Sequence, residues 1–211
     1  SLQGESTFAG RPCVFVRLTG CDLRCSYCDT AFAFTGGKTM TFDAIQDKIA
    51  AQAEGYPEPP LVELTGGEPL LQKETPALMT TLCDAGFTVL LETSGAHDIS
   101  EIDPRVHRIV DLKCPSSGEC ERNLYSNLEH LRPGDEVKFV IGTREDYQWA
   151  SEHLRKINGR CEALFSWVNP LTPAQQSDVL KPVPADHTPI TRRELAEAII
   201  TDRLPVRFQL Q

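Results

Sequence analysis

Short apolar runs recur along the chain, and segments with the spacing of amphipathic helices separate most of them. The first run, Cys-Val-Phe-Val-Arg-Leu at residues 13–18, is apolar at nearly every position, which is typical of a parallel strand buried on both faces. Later segments predict strands at residues 61–65, 88–92, 107–113, 137–141, 163–168 and 206–210. Strands that alternate with helices indicate a parallel sheet with helices packed outside it.

Helices are predicted in most of the connections. Thr41 is a suitable N-cap for a helix over residues 42–54, and Gly86 is a suitable C′ residue for a helix through Leu78 and Leu82. The other predicted helices cover residues 121–131, 145–157 and 192–202. A closed eight-stranded (β/α) barrel typically needs ~250 residues, and the chain has 211. We therefore expect an α/β fold, an open and incomplete (β/α) barrel of about six or seven mostly parallel strands with helices outside.

Composition indicates one domain and argues against several classes of function. Apolar residues make up 40% of the chain and charged residues 24%, as in an ordinary globular protein with a buried core. The net charge of −9 argues against binding nucleic acid through its phosphates. No run approaches the ~18–20 apolar residues of a membrane-spanning helix, and no signal peptide opens the chain. Eight cysteines in such a chain favour a reducing compartment, so we expect a cytoplasmic protein.

The candidate chemistry is concentrated in residues 20–30, Gly-Cys-Asp-Leu-Arg-Cys-Ser-Tyr-Cys-Asp-Thr. Cys21, Cys25 and Cys28 have CxxxCxxC spacing directly after the first predicted strand, and Tyr27 precedes the third cysteine. An iron–sulfur cubane that only carries electrons normally takes four thiolates, so three leave one iron open to another ligand. Open coordination positions are where metal sites perform chemistry. The spacing therefore favours a [4Fe–4S] cluster with one open iron.

Three other interpretations of these cysteines are weaker. A structural zinc site would need a fourth Cys or His nearby, but Cys13 lies inside an apolar run and the first histidine is His97. A disulfide knot is typical of small secreted chains. An iron–sulfur electron carrier would need the missing fourth ligand and would not need a whole α/β domain around one cluster. The remaining cysteines are scattered, and we interpret Cys114 and Cys120 as buried or incidental thiols.

A second motif, Gly66-Gly67-Glu68-Pro69, follows the second predicted strand. Glycines at a strand end let backbone groups approach a ligand closely, and Glu68 supplies an acceptor for an ammonium group. Alone, the motif would also suit an ordinary turn between a strand and a helix. Together with the three cysteines it resembles the radical S-adenosylmethionine (radical SAM) superfamily. The resemblance implies that the open iron binds SAM and that reduction cleaves SAM to a 5′-deoxyadenosyl radical.

Within that superfamily the chain resembles the 7-carboxy-7-deazaguanine synthase family nearly end to end. The resemblance is carried by Ser1-Leu2-Gln3-Gly4-Glu5-Ser6, Arg17, Cys28-Asp29-Thr30, Thr65-Gly66-Gly67-Glu68-Pro69 and Glu92-Thr93-Ser94-Gly95. It implies one radical SAM domain over residues 1–211 with incomplete ends, and a homodimer reduced by a flavodoxin-like or ferredoxin-like protein. It also implies conversion of 6-carboxy-5,6,7,8-tetrahydropterin to 7-carboxy-7-deazaguanine with loss of ammonia, in queuosine and 7-deazapurine biosynthesis.

The same resemblance implies roles for individual residues. The pterin would contact Leu2, Gln3, Gly4, Arg17 and Thr65. Arg17 is expected at a polar site on other grounds too, because it interrupts an apolar strand. Thr30, with Asp29, would bind a magnesium ion shared with the substrate, although both residues would also suit the N-cap of a helix. SAM would contact Tyr27, Gly66, Gly67, Glu68, Ser94, Asp111, Leu112, Lys113, Asn169 and Pro170.

The chain departs from the family pattern in three places. Ser6 stands where the family usually has Gly, and Asp111-Leu112-Lys113 differs from the Ser-Pro-Lys of some members. The sequence stops at Gln211, before the His-Lys pair of the family's last segment. The main alternative within the superfamily is an activating enzyme that installs a glycyl radical on a partner protein. The Leu-Gln-Gly-Glu start and Asp29-Thr30 favour the synthase over that alternative.

Overall fold

Seven parallel strands form the centre of the part of the chain that the structure describes, residues 1–157 and 159–211 of a computed structural model. Strands β1 to β7 cover Cys13–Leu18, Leu61–Gly66, Val89–Thr93, His107–Asp111, Glu136–Ile141, Glu162–Trp167 and Arg207–Leu210. Each strand pairs in parallel with the next one along the chain. Since no pairing among the described residues joins β7 to β1, the barrel is open. The predicted incomplete (β/α) barrel is confirmed.

The helices lie in the connections between strands. Helices α1 to α4 cover Phe42–Ala53, Thr75–Asp84, Arg144–Ile157 and Arg192–Thr201. The hydroxyl of Thr41 caps α1 as predicted, accepting the N–H of Ala44 at 3.2 Å. Thr191 and Glu194 cap α4 reciprocally, each side chain accepting the other residue's backbone N–H. None of the helices in the described residues is long and apolar enough to cross a membrane.

The segment after β4 differs from the prediction. The expected α-helix over residues 121–131 is wrong, because short 3₁₀ turns at Cys120–Arg122 and Tyr125–His130 take its place. Asn123, between the two turns, is extended, and its side chain bonds both the N–H and the C=O of Lys113 at 2.8 and 3.0 Å. This attachment to the end of the sheet interrupts any continuous helix. The fourth strand also ends at Asp111, two residues earlier than predicted.

The inward face of the barrel changes from apolar to polar along the strands. Successive side chains of a strand point to opposite faces, so every second residue faces the lumen. The outward positions join the apolar core that includes helix residues, whereas a small separate apolar cluster lies at the bottom of the lumen. Toward the carboxyl ends, the inward positions pass from Leu61 to Glu63, from Leu90 to Glu92 and from Ile109 to Asp111. The lumen therefore has an apolar floor and a charged upper layer.

The first twelve residues form an arm that packs into this lumen, and we call residues 1–12 the N-terminal arm. Phe8 packs against the apolar floor, and Gln3 and Ser6 are buried. The N–H of Ser6 bonds the side chain of Gln209 on β7 at 2.9 Å, across 203 positions of sequence. The N–H of Thr7 bonds Glu136 on β5 at 3.0 Å. The arm thus links the first residues of the chain to its last strand.

Candidate functional site

One cavity opens at the carboxyl ends of the strands, where (β/α) barrels place their active sites. Most of the residues predicted for the site line it: Gln3, Gly4, Arg17, Cys21, Cys25, Tyr27, Cys28, Asp29, Thr30, Thr65, Gly66, Gly67, Ser94, Asp111 and Lys113. Its wall is therefore built from the N-terminal arm, the cysteine loop and the ends of β1 to β4. The fold brings together motifs that are separated by up to 110 positions in sequence, from Gln3 to Lys113.

The structure does not place five of the predicted residues on the cavity wall: Leu2, Glu68, Leu112, Asn169 and Pro170. Leu2 is 62% exposed and bridges Pro12. Leu112 is buried in the apolar core on the other side of the sheet. Asn169 is exposed and donates its amide to the carbonyl of Gln211, which itself lines the cavity. The roles of Leu2, Leu112, Asn169 and Pro170 in binding remain predictions without support from this geometry.

The cysteine loop is anchored in the mouth of the barrel by its apolar residues. Leu23, Cys25 and Tyr27 are buried in a small cluster with Val140 of β5. Arg24 closes the turn, because its guanidinium donates to the carbonyls of Cys21 and Leu23 at 2.7 and 2.6 Å. Leu23, Cys25 and Tyr27 therefore pack the loop against the barrel. All three cysteines line the cavity, and none of them is in a disulfide.

The three thiols suit a cluster better than a single ion. Within residues 1–157 and 159–211, no three His, Cys, Asp or Glu side chains are close enough to hold one metal ion. A cubane does not require that, because each thiolate binds a different iron. Burial raises the pKa of Cys25 to about 11 and raises the pKa of Cys21 as well. A cationic metal centre is what holds such buried thiols as thiolates at neutral pH. The cysteines present thus fit a [4Fe–4S] cluster.

The glycine motif lies directly against the cysteine loop. The N–H of Gly67 bonds the carbonyl of Leu18 at 3.1 Å, and the N–H of Glu68 bonds that of Gly20 at 2.7 Å. A Cβ on Gly66 would lie 2.0 Å from the Leu18 oxygen, and one on Gly67 would lie 2.1 Å from the Gly20 oxygen. The sequence predicted that glycines here admit a ligand. The structure adds that they let the second strand end approach the backbone of the first.

Glu68 is fully buried behind the cavity wall and is a centre of hydrogen bonding. Its carboxylate accepts the N–H groups of Leu70 and Ser94 at 2.9 and 2.7 Å, and the hydroxyl of Thr93 bonds both of its oxygens at 2.9 and 3.0 Å. Glu68 therefore fixes the end of β3, whose Thr93 and Ser94 line the cavity. The direct contact of Glu68 with the SAM amino group remains a prediction. The structure shows in addition that Glu68 affects the site indirectly, because it holds two residues of the cavity wall.

We expect Glu68→Ala to weaken SAM binding by about 10–100-fold, because losing a charged hydrogen bond to the SAM amino group in a shielded site costs ~1.5–3 kcal/mol. The dissociation constant of SAM for the cluster-loaded protein measures this. The matched control is Glu58→Ala, which removes an exposed glutamate from the loop between α1 and β2. An unchanged dissociation constant in Glu68→Ala would contradict the assignment.

Two buried polar atoms at the cavity point to an absent partner. Among the described residues, neither the Tyr27 hydroxyl nor Oδ1 of Asp111 has a hydrogen-bond partner. The other oxygen of Asp111 accepts from Lys113 at 2.6 Å. Burial acts to lower the pKa of Lys113, but the charge of Asp111 outweighs it and holds the lysine protonated. A buried acceptor beside a fixed cation suits a polar, zwitterionic ligand such as SAM.

A charged layer to which the sequence analysis gave no role also lines the cavity, and it consists of Glu5, Glu63, Glu92 and Lys138. Lys138 bonds Glu5 at 3.1 Å and also pairs with Glu92. Burial acts to raise the pKa of Glu92, but Lys138 holds it at about 2, whereas burial and the Glu92 charge raise the pKa of Glu63 to about 9. Burial also raises the pKa of Glu5. Single charged residues inside otherwise apolar strands were the available signal.

Thr30 and Asp29 lie at the outer edge of the cavity. Thr30 occupies the N-cap position of a 3₁₀ turn, Ala31–Phe34, but its side chain makes no capping hydrogen bond to the described residues. Its hydroxyl lies 3.7 Å from the sulfur of Cys28. The alternative of a helix cap is therefore not supported at Thr30. Apart from the contact with Cys28, its hydroxyl has no hydrogen-bond partner among the described residues, and oxygen is the ligand that hard cations take.

The chain is similar in sequence to a known superfamily and to named proteins. A model of the radical SAM superfamily matches residues 15–160, more than half of the chain. A 7-carboxy-7-deazaguanine synthase from Koribacter versatilis is 42% identical over 212 residues, covering 100% of this chain and 91% of that protein. The chain belongs to the 7-carboxy-7-deazaguanine synthase family. A family member from Chlorobaculum tepidum is 44% identical over 216 residues, covering 100% of this chain and 88% of that protein.

The fold is shared beyond the synthase family. SuiB from Streptococcus suis, in a crystal structure bound to S-adenosylmethionine, matches with a TM-score of 0.64 and 14% sequence identity. The match covers 95% of this chain and 50% of SuiB, so the chain spans about half of that protein. At this identity the likeness concerns the fold alone.

The departure from the synthase family at Ser6 has a structural meaning. Ser6 has a φ of 66°, in the left-handed region that favours the glycine usual in the family. Two contacts offset that strain, because its hydroxyl accepts the N–H of Phe8 at 3.0 Å and its own N–H bonds Gln209. The arm therefore keeps the conformation typical of a glycine with a serine in place.

Proposed function

We propose that this chain converts 6-carboxy-5,6,7,8-tetrahydropterin to 7-carboxy-7-deazaguanine with loss of ammonia, as a radical SAM enzyme of queuosine and 7-deazapurine biosynthesis. One observation carries the proposal. The cysteine triad, the glycine motif and a charged lumen line a single cavity, in a chain 42% identical along its whole length to a protein named for this activity. The cofactors of the family are a [4Fe–4S] cluster, SAM and magnesium, and the residues at the cavity fit all three.

Each part of the cavity has a task in this function. Cys21, Cys25 and Cys28 hold the cluster and leave one iron for SAM. When bound, the cluster and SAM supply the 5′-deoxyadenosyl radical. The backbone at Gly66-Gly67 and the free oxygen of Asp111 offer acceptors to the SAM amino group and hydroxyls. These residues hold SAM at the rim, directly above the charged lumen.

Two parts of the cavity suit an anionic pterin: Arg17 near the carboxyl end of β1 suits its carboxylate, and the charged lumen suits its ring. Arg17 is exposed at the cavity, where one of its N–H groups bonds the carbonyl of Gly66 at 3.3 Å. Its other donors are available for a carboxylate, which a guanidinium binds with two parallel hydrogen bonds. If magnesium takes the carboxylate, Arg17 contacts the ring instead. The ionised carboxylate of Glu92 provides an acceptor for the ring's N–H donors deeper in the lumen.

The deciding experiment is anaerobic turnover of the reduced, reconstituted enzyme with 6-carboxytetrahydropterin, magnesium and SAM supplied well below the substrate. We expect mass spectrometry to find more deazaguanine product than SAM supplied, because SAM is regenerated in the cycle. No deazaguanine product, with deoxyadenosine formed only when a partner protein is added, would overturn the proposal in favour of an activating enzyme. A cluster that is reduced without cleaving SAM would favour an electron carrier.

Thr30→Ala is expected to blunt the response of the rate to added magnesium while the cluster remains intact, because the substitution removes a free oxygen ligand at the cavity. The measurement is the rate as a function of magnesium concentration, with cluster absorbance recorded on the same samples. Thr35→Ala, at the exposed other end of the same 3₁₀ turn, is the matched control. Equal magnesium dependence in Thr30→Ala and the parent would show that Thr30 does not bind magnesium and has only a structural role in the 3₁₀ turn.

The proposal also includes the assembly and the electron source. We propose a homodimer and a flavodoxin-like or ferredoxin-like reductant in the cytoplasm, on the resemblance to the synthase family. Sedimentation of the reconstituted protein tests the dimer. Turnover with each purified carrier in place of a chemical reductant tests the electron source.

A further inference from the structure

Glu63 is a buried acid at the centre of the lumen to which neither the motifs nor the proposed reaction gives a role. It lies on β2, is 2% exposed and lines the cavity two residues before Thr65. The amide nitrogen of Gln3, on the N-terminal arm, donates to its carboxyl group. Glu92 lies on the neighbouring strand β3, two residues after Leu90, which pairs with Glu63, and both glutamates line the cavity. Glu63 therefore lies between the arm and the floor of the cavity.

The charges around Glu63 leave it without a cation of its own. The groups that face it are Glu92 from β3, Lys138 from β5, Glu5 from the arm and the thiol of Cys13 from β1. Lys138 is the cation among them, and it contacts Glu92 and Glu5 directly. Three ionised carboxylates around one buried lysine would leave two uncompensated negative charges, and a proton on one of the carboxyls reduces this to one, at a lower cost in a desolvated lumen. Since Lys138 pairs with the other two, Glu63 is the carboxyl that stays protonated.

A neutral Glu63 completes a chain of hydrogen bonds. We propose that Glu63 is a positioning residue for the substrate. As a neutral acid, Glu63 donates to Glu92 and accepts from Gln3, and so fixes the N-terminal arm beside the substrate ring. The other end of the Gln3 amide accepts the N–H of Glu5 at 3.0 Å. Gln3, Gly4 and Glu5 line the cavity, so the position of this stretch sets the shape of the substrate pocket. The inference rests on the proposed function for the identity of that substrate.

Two substitutions separate the neutral acid from a merely space-filling residue. Glu63→Gln keeps one donor for Glu92 and one acceptor for Gln3, whereas Glu63→Leu removes both. We expect the KM for the pterin to stay within about threefold of the parent in Glu63→Gln, and to rise about 10–100-fold in Glu63→Leu. The matched control is Asp135→Asn, the same acid-to-amide change at a buried carboxylate outside the cavity that pairs with Arg108 and does not contact the arm.

The pH profile provides a readout that packing alone would not give. The pKa of Glu63 is raised to about 9, so the folded parent holds a proton there that the unfolded chain releases near pH 4.5. Its contribution to stability is therefore complete below pH ~4.5 and is lost as pH rises through about 9. Across that window the thermal midpoint of the parent should fall more than that of Glu63→Gln. Above pH about 9 the KM of the parent should rise, and that of Glu63→Gln should not.

The outcomes are distinguishable from those of the proposed function. An unchanged KM in Glu63→Leu, or the same rise in KM above pH 9 in Glu63→Gln, overturns the role of Glu63. The dissociation constant of the pterin, measured without turnover, is expected to change in the same direction as the KM in each variant and at each pH. If the parent binds the pterin with the expected pH dependence but makes no deazaguanine, the reaction is overturned and the role of Glu63 is supported. If the pterin does not bind at all, both are overturned.

Discussion

The Cys25→Ala protein is expected to lose the visible absorbance of its iron–sulfur cluster and to show no SAM cleavage above background. Cys25 is the most buried of the three loop cysteines, and it lies between the other two ligands in sequence. Its loss leaves two thiolates for a cubane that already has one open iron. Iron and sulfide content after anaerobic reconstitution, together with deoxyadenosine formation under reducing conditions, measures the effect.

The matched control for this experiment is Cys161→Ala. Cys161 is a free, partly buried thiol next to the start of β6, at the end of the barrel away from the cavity. The same chemical change there should leave cluster content and SAM cleavage close to those of the parent. Full cluster loading in Cys25→Ala would contradict the three-ligand assignment, and equal loss in both variants would point to general damage instead.

The second large effect is expected from Gly67→Ala. A Cβ at this position would lie 2.1 Å from the carbonyl oxygen of Gly20 and 2.9 Å from Cβ of Cys21, so the cysteine loop must move to admit it. Overpacking of this kind costs ~1–3 kcal/mol or more. Because the displaced backbone carries the first cluster ligand, we expect reduced cluster loading and at least tenfold weaker SAM binding. Equilibrium binding of SAM and the thermal midpoint of unfolding measure the two effects.

Gly55→Ala is a demanding control for that substitution. Gly55 has a φ of 85°, so alanine there carries backbone strain of its own, but its Cβ meets nothing within 4 Å. We expect some loss of stability in Gly55→Ala with the cluster and SAM binding retained. If Gly67→Ala binds SAM as tightly as the parent, the contact between the glycine motif and the cysteine loop has no functional consequence.

The features that could be predicted from the sequence were those with a local signal. Strands β2, β3 and β5 are buried along nearly their whole length, and an apolar run of this kind can be recognised from its own residues alone, whereas β7 is mostly exposed. The shortness of the chain relative to a closed barrel predicted the opening between β1 and β7. The positions of Cys21, Cys25 and Cys28 at one cavity followed from spacing and from the rule that strand ends share a rim.

The features that could not be predicted depend on contacts between distant residues. The side chain of Asn123 interrupts a segment whose local sequence suits a helix, and nothing in that segment reveals its bonds to Lys113. The burial of Glu68 behind the wall depends on Thr93 and Ser94, 25 and 26 residues later. The protonation of Glu63 depends on which of three carboxyls Lys138 contacts, and alternation along one strand cannot determine that.

The bond between the N-terminal arm and β7 also affects how the protein is made. The arm leaves the ribosome long before Gln209, which holds Ser6 and is synthesised 203 residues later. Until β7 is made, the arm lacks this contact, and a contact across so long a loop is opposed by chain entropy. The cysteine loop and the strands that carry it can associate during synthesis, whereas the contact between the arm and β7 can form only after β7 is made. A nascent chain would therefore become competent for its cluster before it becomes competent for its substrate.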